Sequence, residues 1–122
     1  MIEYKVEVYP NGTKYWFLNG KYHREDGPAI EWSNGNKYWY INDVLHREDG
    51  PAIEYANGGK VWYLDGKPHR EDGPAVEYAD GDKYWYLNGV LVTEDEVMNP
   101  GKELTVAEIS KLLGYDVKII KG

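Results

Sequence analysis

Three histidines, His23, His46 and His69, stand 23 residues apart, and each opens the string His-Arg-Glu-Asp-Gly. Imidazole and carboxylate in such a string suggest either metal ligation or general acid–base chemistry. Metal ligation by all three together fails on geometry. If successive copies are related by two β-strands, equivalent side chains sit roughly 10 Å apart, whereas an ion needs its ligands within about 2.0–2.6 Å of itself. No metal and no cofactor is expected. Acid–base pairs drawn from Arg24-Glu25-Asp26, Arg47-Glu48-Asp49 and Arg70-Glu71-Asp72 are equally hard to reconcile with catalysis. An active site is one asymmetric constellation with shifted pKa values, and here one arrangement occurs three times. The triplets are expected to form ion-pair ladders along one edge. There is no uniquely placed Ser/His/Asp set, no Gly-rich phosphate loop and no HExxH, so no catalytic residues are assigned and an enzyme is not expected.

The elements that carry these strings repeat with the same period. Gly12, Gly35, Gly58 and Gly81 share it, as do Lys14, Lys37, Lys60 and Lys83, and Trp16, Trp39, Trp62 and Trp85. Four units follow, at 5–27, 28–50, 51–73 and 74–96. Each carries two turn signals. The first is Asn11-Gly12, Asn34-Gly35, Asn57-Gly58 and Asp80-Gly81; the second is Asn19-Gly20, Asn42-Asp43, Asp65-Gly66 and Asn88-Gly89. Such pairs tolerate positive φ at both central positions of a two-residue hairpin. Between the turns lies an aromatic strand, for example Lys37-Tyr38-Trp39-Tyr40-Ile41.

Strand parity then limits the topology. Three antiparallel strands per unit would reverse the sheet direction at each repeat. If Val44-Leu45-His46 and Pro51-Ala52-Ile53-Glu54-Tyr55 are one long strand bent at Asp-Gly-Pro, each unit has two strands and stacks by translation. The expected fold is mainly β: about eight antiparallel strands in an elongated, twisted up-and-down sheet of tandem hairpins. Period-two alternation places Trp39 with Lys37 and Ile41 on one face and Tyr38 with Tyr40 on the other. One face should be a Trp/Tyr spine, the other a shallow groove.

The end units are atypical. Lys5-Val6-Glu7-Val8-Tyr9 replaces the Pro-Ala-Ile-Glu stretch, and Val92-Thr93-Glu94-Asp95-Glu96-Val97 stands where His-Arg-Glu-Asp-Gly-Pro is due. Solenoids end in such units. The repeat body spans 1–98 and a cap spans 99–122. Asn99-Pro100-Gly101 reads as a turn. Thr105 and Glu108 read as a capping box for a helix with Val106, Ile109, Leu112 and Leu113 on one face, and Val117, Ile119 and Ile120 read as a last strand. The helix–strand cap is expected to cover the open edge of the sheet. The helix resembles the first of a helix-turn-helix, but no recognition helix follows, so DNA reading is not expected.

Composition agrees with a sheet. The 122 residues include 12 Tyr and 5 Trp but one Phe, so the apolar material is flat and polar-tipped. There is no Cys, and the redox compartment is left open. The N-terminus shows neither a signal peptide nor a membrane span, and a cytoplasmic location is expected. Net charge is −7. Residues 1–98 hold 10 Lys/Arg against 18 Asp/Glu, a balance of −8, and residues 99–122 hold 4 against 3, a balance of +1. An acidic body is repelled by phosphate backbones and anionic lipid, so neither nucleic acid nor membrane is the expected partner. A protein with a basic surface is.

The pattern Tyr-x-Asn-Gly-x-Lys-x-Trp-Tyr-x-Asn-Gly-x-x-His-x-x-Asp-Gly-Pro resembles the MORN repeat family, including its 23-residue length. It is especially similar to bacterial and phage variants in which His-Arg-Glu-Asp-Gly-Pro-Ala recurs. The resemblance covers about residues 5–96. It implies an elongated hairpin-repeat sheet used for binding, as in scaffolds, dimerising proteins and antitoxin components. By analogy with small acidic repeat proteins of phages, the expected function is a non-enzymatic protein-binding module. Such a module would inhibit a host defence or nuclease complex in the host cytoplasm. The expected contact residues are Tyr38, Trp39, Tyr40, Trp62, Tyr63 and Tyr86 as anchors, with Glu48, Asp49, Glu71 and Asp72 giving charge complementarity. An alternative is an aromatic-cage binder of choline or glycan. Lys-Tyr-Trp-Tyr-Leu-Asn-Gly at 83–89 is similar to cell-wall-binding repeats, and aromatic cages attract quaternary ammonium groups.

Overall fold

The computed structural model describes residues 2–101 and 106–114. In chain order the strands are β1 (Lys5–Val8), β2 (Lys14–Leu18), β3 (Lys21–Tyr22), β4 (Ile30–Glu31), β5 (Lys37–Tyr38), β6 (Tyr40–Ile41) and β7 (Val44–Leu45). They continue as β8 (Ile53–Glu54), β9 (Lys60–Val61), β10 (Tyr63–Leu64), β11 (Lys67–Pro68), β12 (Val76–Glu77), β13 (Lys83–Leu87) and β14 (Val90–Val92). Two helices follow, α1 (Glu94–Met98) and α2 (Val106–Leu113). Neither is long and apolar enough to cross a membrane.

The main sheet follows the chain, in the order β1-β2-β4-β5-β8-β9-β12-β13, with β14 beyond β13. All its pairs are antiparallel. The expected eight-strand up-and-down sheet is present. A second tier of hairpins, β2–β3, β6–β7, β10–β11 and β13–β14, extends from the far halves of the aromatic strands.

The two turns of each unit differ. The second has positive φ at both central residues, 53° at Asn19 and 77° at Gly20, as a two-residue hairpin requires. The first does not, contrary to expectation. Only its glycine is left-handed, Gly12 N–H closes onto the Tyr9 carbonyl (2.9 Å), and Tyr9 N–H donates to the Thr13 carbonyl (2.9 Å). This is a three-residue loop with a left-handed bulge. The Asn11 side chain fixes it by accepting from Thr13 N–H at 3.0 Å, an arrangement Asn and Asp favour.

Parity is resolved at Trp39. Its N–H donates to the Ala52 carbonyl (2.7 Å) and its carbonyl accepts from His46 N–H (3.1 Å). Both flanking pieces therefore lie along the same side of the aromatic strand. They are not one bent strand: Arg47–Pro51 leaves the ladder altogether. Pro51 has no N–H to offer it, and Arg47 N–H instead reaches the Tyr63 carbonyl of the next unit (3.1 Å). Arg24 to Tyr40 (3.1 Å) and Arg70 to Tyr86 (3.2 Å) repeat the bond.

The core lies along the tyrosine face. Ile53, Val61 and Val76 are buried there, with Tyr38, Leu45, Tyr55, Tyr63 and Tyr86 packed against them. Each such aliphatic side chain is worth about 1.5–3 kcal/mol of burial. Register also places Lys14, Glu31, Lys37, Glu54, Lys60, Glu77 and Lys83 side by side across successive strands. Opposite charges face one another at every step, which favours this register.

At the C-terminal end α1 occupies the positions that the Arg-Glu-Asp-Gly-Pro-Ala loop holds in earlier units. Thr93 and Glu96 form its capping box: Glu96 N–H donates to Thr93 Oγ1 at 3.1 Å and Thr93 N–H to Glu96 Oε1 at 3.4 Å. Val97 is buried, and α1 packs against β13. The sequence reading had placed the edge-covering helix after Thr105. α2 is a helix as expected, but Val106 and Leu113 are exposed. Thr105 and the expected strand at Val117, Ile119 and Ile120 lie outside the described residues.

Candidate functional site

Each Arg-Glu-Asp-Gly-Pro segment forms a ridge built around its arginine. The Arg47 guanidinium carbon lies 4.0 Å from the Trp39 ring centroid; Arg24 over Trp16 (3.9 Å) and Arg70 over Trp62 (3.8 Å) repeat the stack. Arg47 Nε donates to Asp49 Oδ1 (3.0 Å) and its terminal nitrogen to the Pro51 carbonyl (3.0 Å). One planar cation thus covers an indole and closes its own loop, using the fork geometry that distinguishes Arg from Lys. The remaining face of the loop is Gly50. Its φ is not left-handed; what matters is space, because a Cβ there would stand 3.0 Å from the Arg47 guanidinium carbon. At Gly27 and Gly73 the distance would be 2.7 Å.

The histidines face the next unit. Nδ1 of His23, His46 and His69 accepts a backbone N–H from Asn42 (3.1 Å), Asp65 (3.0 Å) and Asn88 (2.9 Å), in the second turn of the following hairpin. The ring proton therefore sits on Nε2, which lies 3.5–3.6 Å from Glu25, Glu48 and Glu71 respectively. Each imidazole joins one ridge to the turn beyond it. Among the described residues no three His, Asp or Glu side chains converge as a metal site.

Two grooves separate the three ridges. The first, about 660 Å³, has Trp39 and Ile41 on its floor, with Arg24–Pro28 on one wall and His46–Asp49 on the other. The second, about 630 Å³, has Trp62 and Leu64 below, between Arg47–Pro51 and His69–Asp72. Glu25, Asp26, Glu48, Asp49, Glu71 and Asp72 rise from the walls with side chains 59–88% exposed. Within each string the pairs are Arg24–Asp26, Arg47–Asp49 and Arg70–Asp72, while Arg47 and Arg70 also lie 3.5 and 3.7 Å from Glu54 and Glu77 of the following unit, and His46 Nδ1 lies 3.3 Å from Asp65. Among the described residues no Arg-Glu-Asp string pairs with the next Arg-Glu-Asp string, as the expected ladder would require; each guanidinium is held over its own tryptophan.

Of the residues expected to make contact, Trp39, Trp62, Glu48, Asp49, Glu71 and Asp72 are brought together on this grooved face. Tyr38, Tyr63 and Tyr86 are not: they pack on the opposite, core side. Tyr40 lies there against Tyr22, ring centroids 5.5 Å apart and planes tilted by 38°. Burial raises the pKa of Tyr40, Tyr55 and Tyr63 above the ordinary phenol value. The sequence reading missed Ile41 and Leu64 as groove floor, the arginine stack and the reason for the glycines. The constant offset of eight residues between each tryptophan and its arginine was the available signal.

No protein-family model, curated protein or solved structure matches the chain. Its functional reading rests on its own geometry.

Proposed function

We propose that this is a non-enzymatic protein-binding module whose ridged acidic face covers a basic surface on its partner. A phage or mobile-element inhibitor of a host defence or nuclease complex, acting in the host cytoplasm, is the context that suits it best. The carrying observation is the exposure of six carboxylates on three equivalent ridges of one face. Each ridge holds two carboxylates and one guanidinium, a balance of −1, so the face presents the same charge three times at regular spacing. Such a pattern steers and registers a partner with complementary basic groups. Threefold repetition favours binding over catalysis, which uses a single asymmetric constellation. The occupied faces of Trp16, Trp39 and Trp62 argue against an aromatic cage for choline or glycan on this side.

The test uses capture from bacterial lysate at low and high salt, with the wild type and with the triple variant Glu25→Gln, Glu48→Gln, Glu71→Gln. These glutamates are chosen because the neighbouring aspartates hold the arginines. A specific partner should be recovered by the wild type, released by salt and lost in the variant. A partner held equally by the variant at high salt, or no specific partner at all, would overturn the reading.

A further inference from the structure

The two ends of the sheet are treated differently. At the C-terminal end α1 packs against β13, and residues 99–100, which would begin the next strand, are Asn-Pro. A proline there has no N–H for a ladder. At the N-terminal end β1 pairs, among the described residues, with β2 alone. Tyr9 N–H points at the Thr13 carbonyl, so by antiparallel alternation Lys5 and Glu7 also turn their backbone groups toward β2. Tyr4, Val6 and Val8 turn theirs outward. Val6 and Val8 are 40% and 63% exposed. Inside the array the same edge of β4, β8 and β12 is occupied by the preceding aromatic strand.

The geometry points to a second copy of this chain as the occupant of that edge, in an antiparallel β1–β1 dimer centred on Val6. The strand's charge pattern selects this register. Centring on Val6 sets Lys5 opposite Glu7 of the other copy twice over, Val6 opposite Val6, and Tyr4 opposite Val8. All outward-turned backbone groups from Tyr4 to Val8 then find partners, about six hydrogen bonds. Lys5 and Glu7 fall at the non-hydrogen-bonded positions, where side chains approach most closely. A shift that centres the pair on Glu7 or on Lys5 puts like charges directly opposite, and parallel pairing does so at both positions. Within one chain Lys5 and Glu7 are 3.9 Å apart, with Lys5 largely exposed and 6.0 Å from the Phe17 ring centroid, so pairing of two copies exchanges one long intrachain contact for a directly opposed cross-strand pair on each side of the two-fold axis. A two-fold interface closes on itself. The head-to-tail alternative, β1 on the β13 end, would propagate into a filament, and α1 stands beside β13.

Sedimentation equilibrium of the full chain over a wide concentration range tests this, with circular dichroism to verify folding of each variant. The wild type should show a monomer–dimer equilibrium. Lys5→Glu and Glu7→Lys should each weaken it about tenfold, since two symmetry-related pairs turn repulsive. The double exchange Lys5→Glu/Glu7→Lys should restore it. Val6→Pro, which removes an outward N–H and leaves the β1–β2 ladder intact, should abolish it. A monomer at every concentration would overturn the proposal. So would a dimer indifferent to both single reversals, or one that the double exchange fails to restore.

Discussion

The Arg47 guanidinium lies over Trp39, its carbon 4.0 Å from the ring centroid, across a segment that leaves the sheet and returns to it. The stack explains how a five-residue excursion keeps one shape in three copies. The indole gains a cover, and the cation gains Asp49 and the Pro51 carbonyl as acceptors. Arg47→Lys keeps the charge but cannot lie flat and bond two acceptors together. It should destabilise the fold by about 1–2 kcal/mol, the range of a partly desolvated cation–π contact with one charged hydrogen bond. Urea unfolding curves of the two proteins would show it; an unchanged midpoint would mean the stack is incidental.

Gly50→Ala should act through the same arginine. The new methyl group would stand 3.0 Å from the guanidinium carbon, so the guanidinium must give by a few tenths of an ångström against the indole it covers. Arg47→Ala should cost on the order of 1–2 kcal/mol, and Gly50→Ala no more than that. Combined, the two should cost little more than Arg47→Ala alone, since both act on one interaction. Additive losses in this double-mutant cycle would show that Gly50 serves the backbone rather than the side chain.

These relations mark what the sequence could and could not reveal. The period, the eight strands, the second turn and the division of Trp39 from Tyr38 follow from local rules of spacing and alternation, and the structure has them. The first turn, at Asn11-Gly12, was misread because Asn-Gly serves two loop types. The same loop forms after Pro10, Ser33, Ala56 and Ala79, so the preceding residue does not select it; what all four share is an Asn or Asp side chain that accepts the N–H two residues on. The path of Arg47–Pro51 was not legible because its reward lies eight residues back, on Trp39, and in the next unit, on Tyr63. Helix α1 was legible in principle: Thr93-Glu94-Asp95-Glu96 has the same capping-box spacing as Thr105 and Glu108, but it was read as a broken repeat. The contact residues were chosen by type, so tyrosines of the core side were grouped with tryptophans of the grooved side.

His46 accepts the Asp65 N–H through Nδ1, and this atom can be tested separately from Nε2. Asn places an amide oxygen near the Nδ1 position, whereas the longer Gln mimics Nε2. His46→Gln should therefore lose the bond to the next unit, costing about 0.5–1.5 kcal/mol, and His46→Asn should recover most of it. Amide exchange at Asp65 gives the local readout: fast in the Gln variant, slow in the Asn variant. Equal exchange in both would place the histidine's role in packing alone.

Alkaline titration should separate the two faces. Tyr40, Tyr55 and Tyr63 have pKa values raised above the ordinary 10.0, first by burial and then by neighbouring phenols, with Asp43 adding to the effect at Tyr40. In the unfolded chain these groups ionise near the ordinary value, so the fold disfavours their anions. The stability this represents is complete below about pH 10 and is lost as pH rises through the folded values. Tyr40, Tyr55 and Tyr63 should hold their protons above the ordinary value and release them in a steep step together with loss of the far-ultraviolet signal. Tyr63→Phe removes one proton from that step and should move the midpoint of unfolding to higher pH. Phenolate absorbance followed alongside circular dichroism decides the matter: if all tyrosines titrate in one phase while the sheet persists, the tyrosine spine is not what limits stability in base.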